Sequence, residues 1–164
     1  MSTDDTKTHS HDELSLKDFR HAHQLCDYWQ SLRTEHSVPL RSAFRPQNII
    51  NLLPFIMLLE NVSGTDSFTF RIVGTSIEGI LPTLKTGSNL DMINEYDTQQ
   101  LIAQQARKTL SIKQPVFFEG ALGPKSHLPM PDYGMIMVPF SSEADKCDLV
   151  MCLFDFKSSI KPQS

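Results

Sequence analysis

Residues 68–93 read FTFRIVGTSIEGILPTLKTGSNLDMI, and this stretch decides how the chain folds. Phe68, Phe70 and Ile72 alternate with Thr69 and Arg71, a period of two that predicts a strand with one buried face. The strand runs straight into Gly74-Thr75. A short apolar segment follows and breaks at Leu81-Pro82, and Thr86-Gly87 punctuates the next one. Gly74 permits a sharp turn off the strand, and Pro82 stops the helix after it from growing. Asn89 or Asp91 suits the cap of the NLDMI piece. Short broken helices pack poorly alone; they suit wrapping around something small.

Upstream, Gly64-Thr65-Asp66 reads as a turn that joins this strand to an earlier one, FIMLLENV, as a hairpin. Pro46 opens a short helix through QNIINLL, and Pro54 closes it. Farther back the period changes. Ser15 suits an N-cap, with Asp18 three residues on, and Phe19, Ala22, Cys26 and Trp29 then recur at spacings of three and four. With Leu25 and Leu32 beside them they make one apolar stripe on a helix of about five turns. Such a face must be covered, by a sheet or by a partner helix in a dimer. Phe19, Cys26 and Trp29 are therefore the candidate interface residues. His21 and His23, two apart, do not share a helix face and read as surface residues.

Downstream, YDTQQLIAQQARKTLSIKQ places Leu101, Ile102, Ala106 and Leu110 on one side of the longest helix of the second half, with Asp97 or Thr98 as its cap. Three strands close the chain: PVFFEGALG, DYGMIMVPFS and CDLVMCLFDF. The loop PKSHLPMP separates the first two and the turn SEADK the last two. Met135/Met137 and Ile136/Val138 are both apolar sets, as are Leu149/Met151/Leu153 and Val150/Cys152/Phe154. Strands apolar on both faces are covered on both sides. The short helices can take one side and the Trp29 helix the other.

The chain has 164 residues, which suits one domain. It divides into a polar tail over 1–13, expected to be disordered, an amphipathic helix over 14–36, a core over 37–157 and a C-terminal tail over 158–164. A formal net charge of −4, with no Lys/Arg cluster, argues against nucleic acid as a partner. Cys26, Cys147 and Cys152 are odd in number and form no C-x-x-C, which argues against a disulfide framework and suits a reducing cytoplasm. No apolar run approaches a membrane span, and the N-terminus lacks the layout of a signal peptide. The expectation is a soluble, cytoplasmic protein. His9 and His11 in the tail lack further donors and read as solvated rather than as metal ligands.

The element order is helix, strand, strand, short helices, longer helix and three strands. That order gives an α+β fold with a five-stranded antiparallel sheet, short helices on one face and an N-terminal helix besides. The chain resembles PAS domains. More specifically, it is similar to a bacterial family of small stand-alone PAS proteins, mostly alphaproteobacterial. The residues that carry the likeness are Tyr28-Trp29, PLRSAFRPQNIINLLPFIMLLENV over 39–62, FRIVGTSIE over 70–78, and Thr86-Gly87, within a match from about Leu25 to Phe156. Two positions depart from it. Pro82-Thr83 stands where a Gly-Arg pair is expected, and no basic residue stands near Pro131, so a role for those basic groups does not carry over. The resemblance implies that the broken helices form one wall of a pocket and the concave sheet the other. It also implies that a signal leaves through the outer sheet face, where the N-terminal helix lies.

Cofactors make demands that this sequence does not meet. A haem needs an axial ligand, in PAS proteins a His from the long helix, and no His lies between Arg41 and Ser126. A photochemical flavin, or a chromophore attached to Cys, needs a Cys among the short helices, and none lies between Asp27 and Lys146. What remains is an apolar pocket for an unknown small ligand. Its candidate lining is Phe70, Ile72, Ile77, Ile80, Leu90, Leu101, Ile102, Phe118, Met135 and Met137. The same residues at the same periods would also make a dry core. Met135 and Met137 would give an adaptable wall. Arg71, opposite Phe70 and Ile72, can pair with Glu60 or Asp155. For catalysis, Tyr96-Asp97 sits at a helix start and Asp132-Tyr133 reads as loop. No nucleophile elbow, phosphate loop or metal-ligand spacing is present, and Cys147 and Cys152 do not form a reactive pair. The expectation is a non-enzymatic sensory or regulatory protein that binds a small ligand and acts through a homodimer or a signalling partner. The alternatives are a ligand-free adaptor and a small pocket enzyme.

Overall fold

Apolar residues on both alternating sets of the closing strands build a sheet that must be covered twice, and it is. The computed structural model describes residues 7–9, 19–34, 38–81, 84–90, 98–121 and 132–156. The strands are β1 (Lys7–His9), β2 (Ile56–Asn61), β3 (Phe68–Val73), β4 (Val116–Ala121), β5 (Asp132–Glu143) and β6 (Lys146–Phe156). The helices are α1 (Arg20–Leu32), α2 (Thr75–Ile80) and α3 (Thr98–Ile112), with 3-10 turns at Arg41–Ala43 and Pro46–Phe55. The sheet order is β1-β4-β5-β6-β2-β3, and every strand pair is antiparallel. The five expected strands stand together. β1 adds a sixth on the β4 edge, opposite Phe117, Phe118 and Glu119, so part of the expected N-terminal tail is a strand. His11, the Ser15 cap and Asp18 lie outside the described residues, as do Pro82, Thr83, Asp91, Asp97, Pro131, the PKSHLPMP loop and the C-terminal tail.

The inner face carries Met57, Leu59, Val116, Phe118, Met135, Met137, Val150, Cys152 and Phe154. The outer face carries Ile56, Leu58, Phe117, Ile136, Val138, Phe140, Leu149, Met151 and Leu153. β2, β4, β5 and β6 thus split by parity between two separate clusters, as a period of two requires. α2, the segment 84–90 and α3 contribute Ile77, Leu84, Leu90, Ile102 and Ala106 to the inner cluster. α1 contributes Phe19, Ala22, Leu25, Cys26 and Trp29 to the outer one.

α1 is shorter than its apolar stripe suggests, 13 residues beginning at Arg20. Phe19 holds its N-cap position and supplies no side-chain cap. Its orphan N–H groups are met from across the fold: Ala22 N donates to Asp155 Oδ2 at 2.8 Å. The Trp29 indole N–H donates to the Pro139 carbonyl at 2.7 Å. Gly134 makes the close seating possible, because a Cβ there would stand 2.5 Å from Phe19 Cε1 and 2.9 Å from Phe117 Cζ. Phe19 and Phe117 meet edge-to-face at 5.1 Å.

Gly74 serves a different purpose from the one its sequence context suggests. Its φ is −65°, open to any residue. A Cβ there would collide with the carbonyls of Leu53 and Pro54, where the 3-10 turn passes beneath α2. The positive φ in this region belongs to Gly87, at 91°. Pro54 lies inside the 3-10 segment, which ends one residue later at Phe55.

Candidate functional site

The inner cluster is organised in rows across the sheet. Val116, Met137, Cys152, Met57 and Val73 are successive partners across five strands. Phe118, Met135 and Phe154 form a second row, and Val150, Leu59 and Phe70 a third. Above them lie Ile77 and Leu81 from α2 and the residue after it, Leu90, and the α3 face of Ile102, Ala103 and Ala106, with Leu101 packed alongside. Of the proposed lining, Phe70, Ile77, Leu90, Ile102, Phe118, Met135 and Met137 are buried together in this one cluster. For Ile80 only the backbone, the last residue of α2, is described.

Ile72 is a correction. It is 45% exposed and does not face the interior. The β2–β3 register shifts between Leu58 and Leu59, which pair with Ile72 and Phe70 and leave Arg71 as the extra residue of a bulge. A bulge moves every residue beyond it to the other face. Val73 therefore takes the inner position and Ile72 the outer one, at the sheet edge. Arg71 pairs with Glu60 at 3.2 Å, one of the two carboxylates expected; the other, Asp155, is used by α1.

Tyr133 is the residue that sequence reasoning missed. It is not a loop residue but a fully buried one in β5, with its ring 5.2 Å from that of Phe154 and 6.4 Å from that of Phe118. Its signal was the period of two that continues from Met137 and Met135 back to position 133. Phe68, Val73, Leu84 and Phe154 also join the inner cluster. Phe68 falls in the alternating set with Phe70, whereas Val73 is given its side only by its pairing with Met57.

Two buried carboxylates have partners of their own. Asp155 stands on the outer face beneath α1, 4% exposed. Burial pushes its carboxyl above the usual carboxylate range, against the opposing pull of the Ala22 and His21 backbone N–H groups and of His21 and Arg20. The His21 Nδ1 lies 3.7 Å from it. Asp148 accepts hydrogen bonds from Ser142 N and Oγ. Cys152 lies in the inner cluster, and burial alone pushes its thiol up. Among the described residues no three His, Cys, Asp or Glu side chains gather as a metal site would need.

A cleft of 230 Å³ opens elsewhere, lined by Val38, Leu40, Lys113, Ser141, Ala144, Asp145 and Cys147. It lies where the chain after α3 meets the β5–β6 turn, and no wall residue belongs to the inner cluster. Burial raises the Cys147 thiol despite Lys113 nearby, so the thiol there is held protonated.

A sheet of this order, with helices of this kind on its inner face, is matched by a PAS domain family model over residues 18–154. The chain belongs to the PAS family. No curated protein matches it. PAS domains are in general sensory or regulatory modules and commonly mediate protein–protein contacts. In this PAS protein, Phe19, Cys26 and Trp29 are spent within the chain: they are 3%, 2% and 0% exposed against the outer sheet face. They are not an open interface, because the sheet itself covers the apolar stripe. Among the described residues, no helix is long and apolar enough to cross a membrane.

Proposed function

We propose that this chain is a non-enzymatic sensory PAS protein that takes a small, largely apolar ligand between the inner sheet face and the helices α2 and α3. Its output is a protein contact, with a second copy or a signalling partner. The observation that carries this reading is the shared strand. In β5, Met135 and Met137 face the interior, while Ile136 and Val138 between them face α1. A change in the packing of one face is thus passed to the other by the same backbone, and a ligand can bias only what it contacts differently in two states. The two inner methionines favour a wall that can repack around a guest. Because the stripe of α1 is buried, the contact would be made by the solvent side of α1 or by its reseating.

Mass spectrometry of the purified protein under native and then denaturing conditions tests this, beside an absorbance spectrum. The expected result is a small molecule that travels with the native protein and leaves on denaturation. A native mass equal to that of the chain, together with no binding in a screen of small apolar compounds, would replace the sensor by an adaptor with a filled core. The oligomer mass in the same spectrum reports whether the surface pairs with itself.

A further inference from the structure

Helix α3 carries one polar group that the fold leaves unanswered. Gln105 is 8% exposed, and among the described residues its Oε1 is the buried side-chain oxygen or nitrogen without a hydrogen-bond partner. Its backbone carbonyl is occupied, accepting from Thr109 Oγ1 at 2.7 Å. A buried acceptor left unpaired costs more than a typical hydrogen bond gains, so such atoms are rare and call for a partner.

The position of Gln105 indicates which partner. Leu101 and Ile102 lie four and three residues before it, on the same side of the helix, and helical side chains lean back over the preceding turn. The amide therefore sits beside two residues of the candidate lining, on the helix that faces β4, β5 and β6. The cluster there is otherwise built of apolar side chains and the Tyr133 ring. The buried carboxylates have partners of their own: Asp155 serves α1 and Asp148 serves Ser142.

We propose that Gln105 is the specificity residue of the interior site. The ligand is an uncharged molecule with an apolar body and one O–H or N–H donor, which Gln105 Oε1 accepts. This rests on the ligand-binding reading above.

Phenol, anisole and toluene test it, being close in shape and differing in polarity: a donor, an acceptor only, and neither. Each is titrated into the full chain and followed by ¹H–¹⁵N spectra, including the Gln105 side-chain amide. All three should bind, with phenol about tenfold tighter than the other two, the ratio expected for one net hydrogen bond. The Gln105 amide signals should move with phenol. In Gln105→Leu the preference should vanish while toluene still binds, and Gln105→Met provides a second apolar variant should the first misfold. Equal binding of phenol and toluene to the native chain would overturn the proposal and leave the ligand reading standing. A preference that persists in both variants would overturn it too. Anisole binding as tightly as phenol would overturn the donor assignment, since the amide would then be offering its N–H. No binding by any of the three would overturn the ligand reading and this proposal together.

Discussion

Trp29 and Asp155 hold the same helix by different means, and each can be tested alone. Trp29 is fully buried and its indole N–H is satisfied by Pro139. Trp29→Ala should cost about 3–5 kcal/mol. Trp29→Phe keeps most of the apolar volume and should cost less, through the unpaired Pro139 carbonyl and the lost ring. Urea denaturation reads both, and an unchanged midpoint for the alanine variant would rule out the seating described for α1. Asp155 makes stability depend on pH. Its folded carboxyl is raised, chiefly by burial, so the native state holds the proton more tightly than the unfolded chain does. Its contribution is fully present below the ordinary carboxylate value of about 3.9 and is lost as pH rises through the raised value. Asp155→Asn retains a side-chain oxygen for the Ala22 N–H and has no proton to lose. The variant should therefore gain stability relative to the native protein as pH rises from 4 toward 7. A difference that stays flat over that range would contradict the buried placement of this carboxylate.

The bulge in β3 is the informative feature among the elements. Alternation across FTFRIV predicts one inner set, and the structure supplies two half-sets joined at Arg71. The pattern alone cannot reveal this, because Ile72 and Val73 are both β-branched and apolar, and either could face inward. The partner strand decides it by pairing Leu58 with Ile72 and Met57 with Val73. Ile72→Lys should therefore stay within about 0.5 kcal/mol of the native protein, as exposed substitutions do. Val73→Lys would bury a charge and should cost at least ~3 kcal/mol. Thermal melts of the two variants decide the register, and the reverse order of sensitivity would move the bulge out of β3.

At the scale of the whole molecule, the sheet is the common wall of two cores, and α1 is the cover of one of them. Deleting residues 1–34 should uncover the part of the outer cluster that α1 covers, beside the 3-10 region that contributes Phe44, Ile49 and Leu52, and so expose an apolar patch of the kind that drives association. Light scattering should show dimers or larger species; a stable monomer would mean that α1 is not needed to cover the sheet. Much of this arrangement is legible without coordinates. The period of two in β5 and β6 assigns each residue to a face, and two apolar sets require two covers. The spacing of Phe19, Ala22, Cys26 and Trp29 marks one cover, and the broken stretch after β3 marks the other. The sequence by itself therefore determined the element order and the two-faced character of the closing strands, because these follow from local periodicity. Only the tertiary structure decided that the Trp29 stripe is spent on the chain's own sheet and that Ile72 turns outward. The same holds for Asp155 capping a helix from 133 positions away and for Gln105 being left unpaired. Each of these depends on which atoms meet across long stretches of chain, and local pattern carries no record of that.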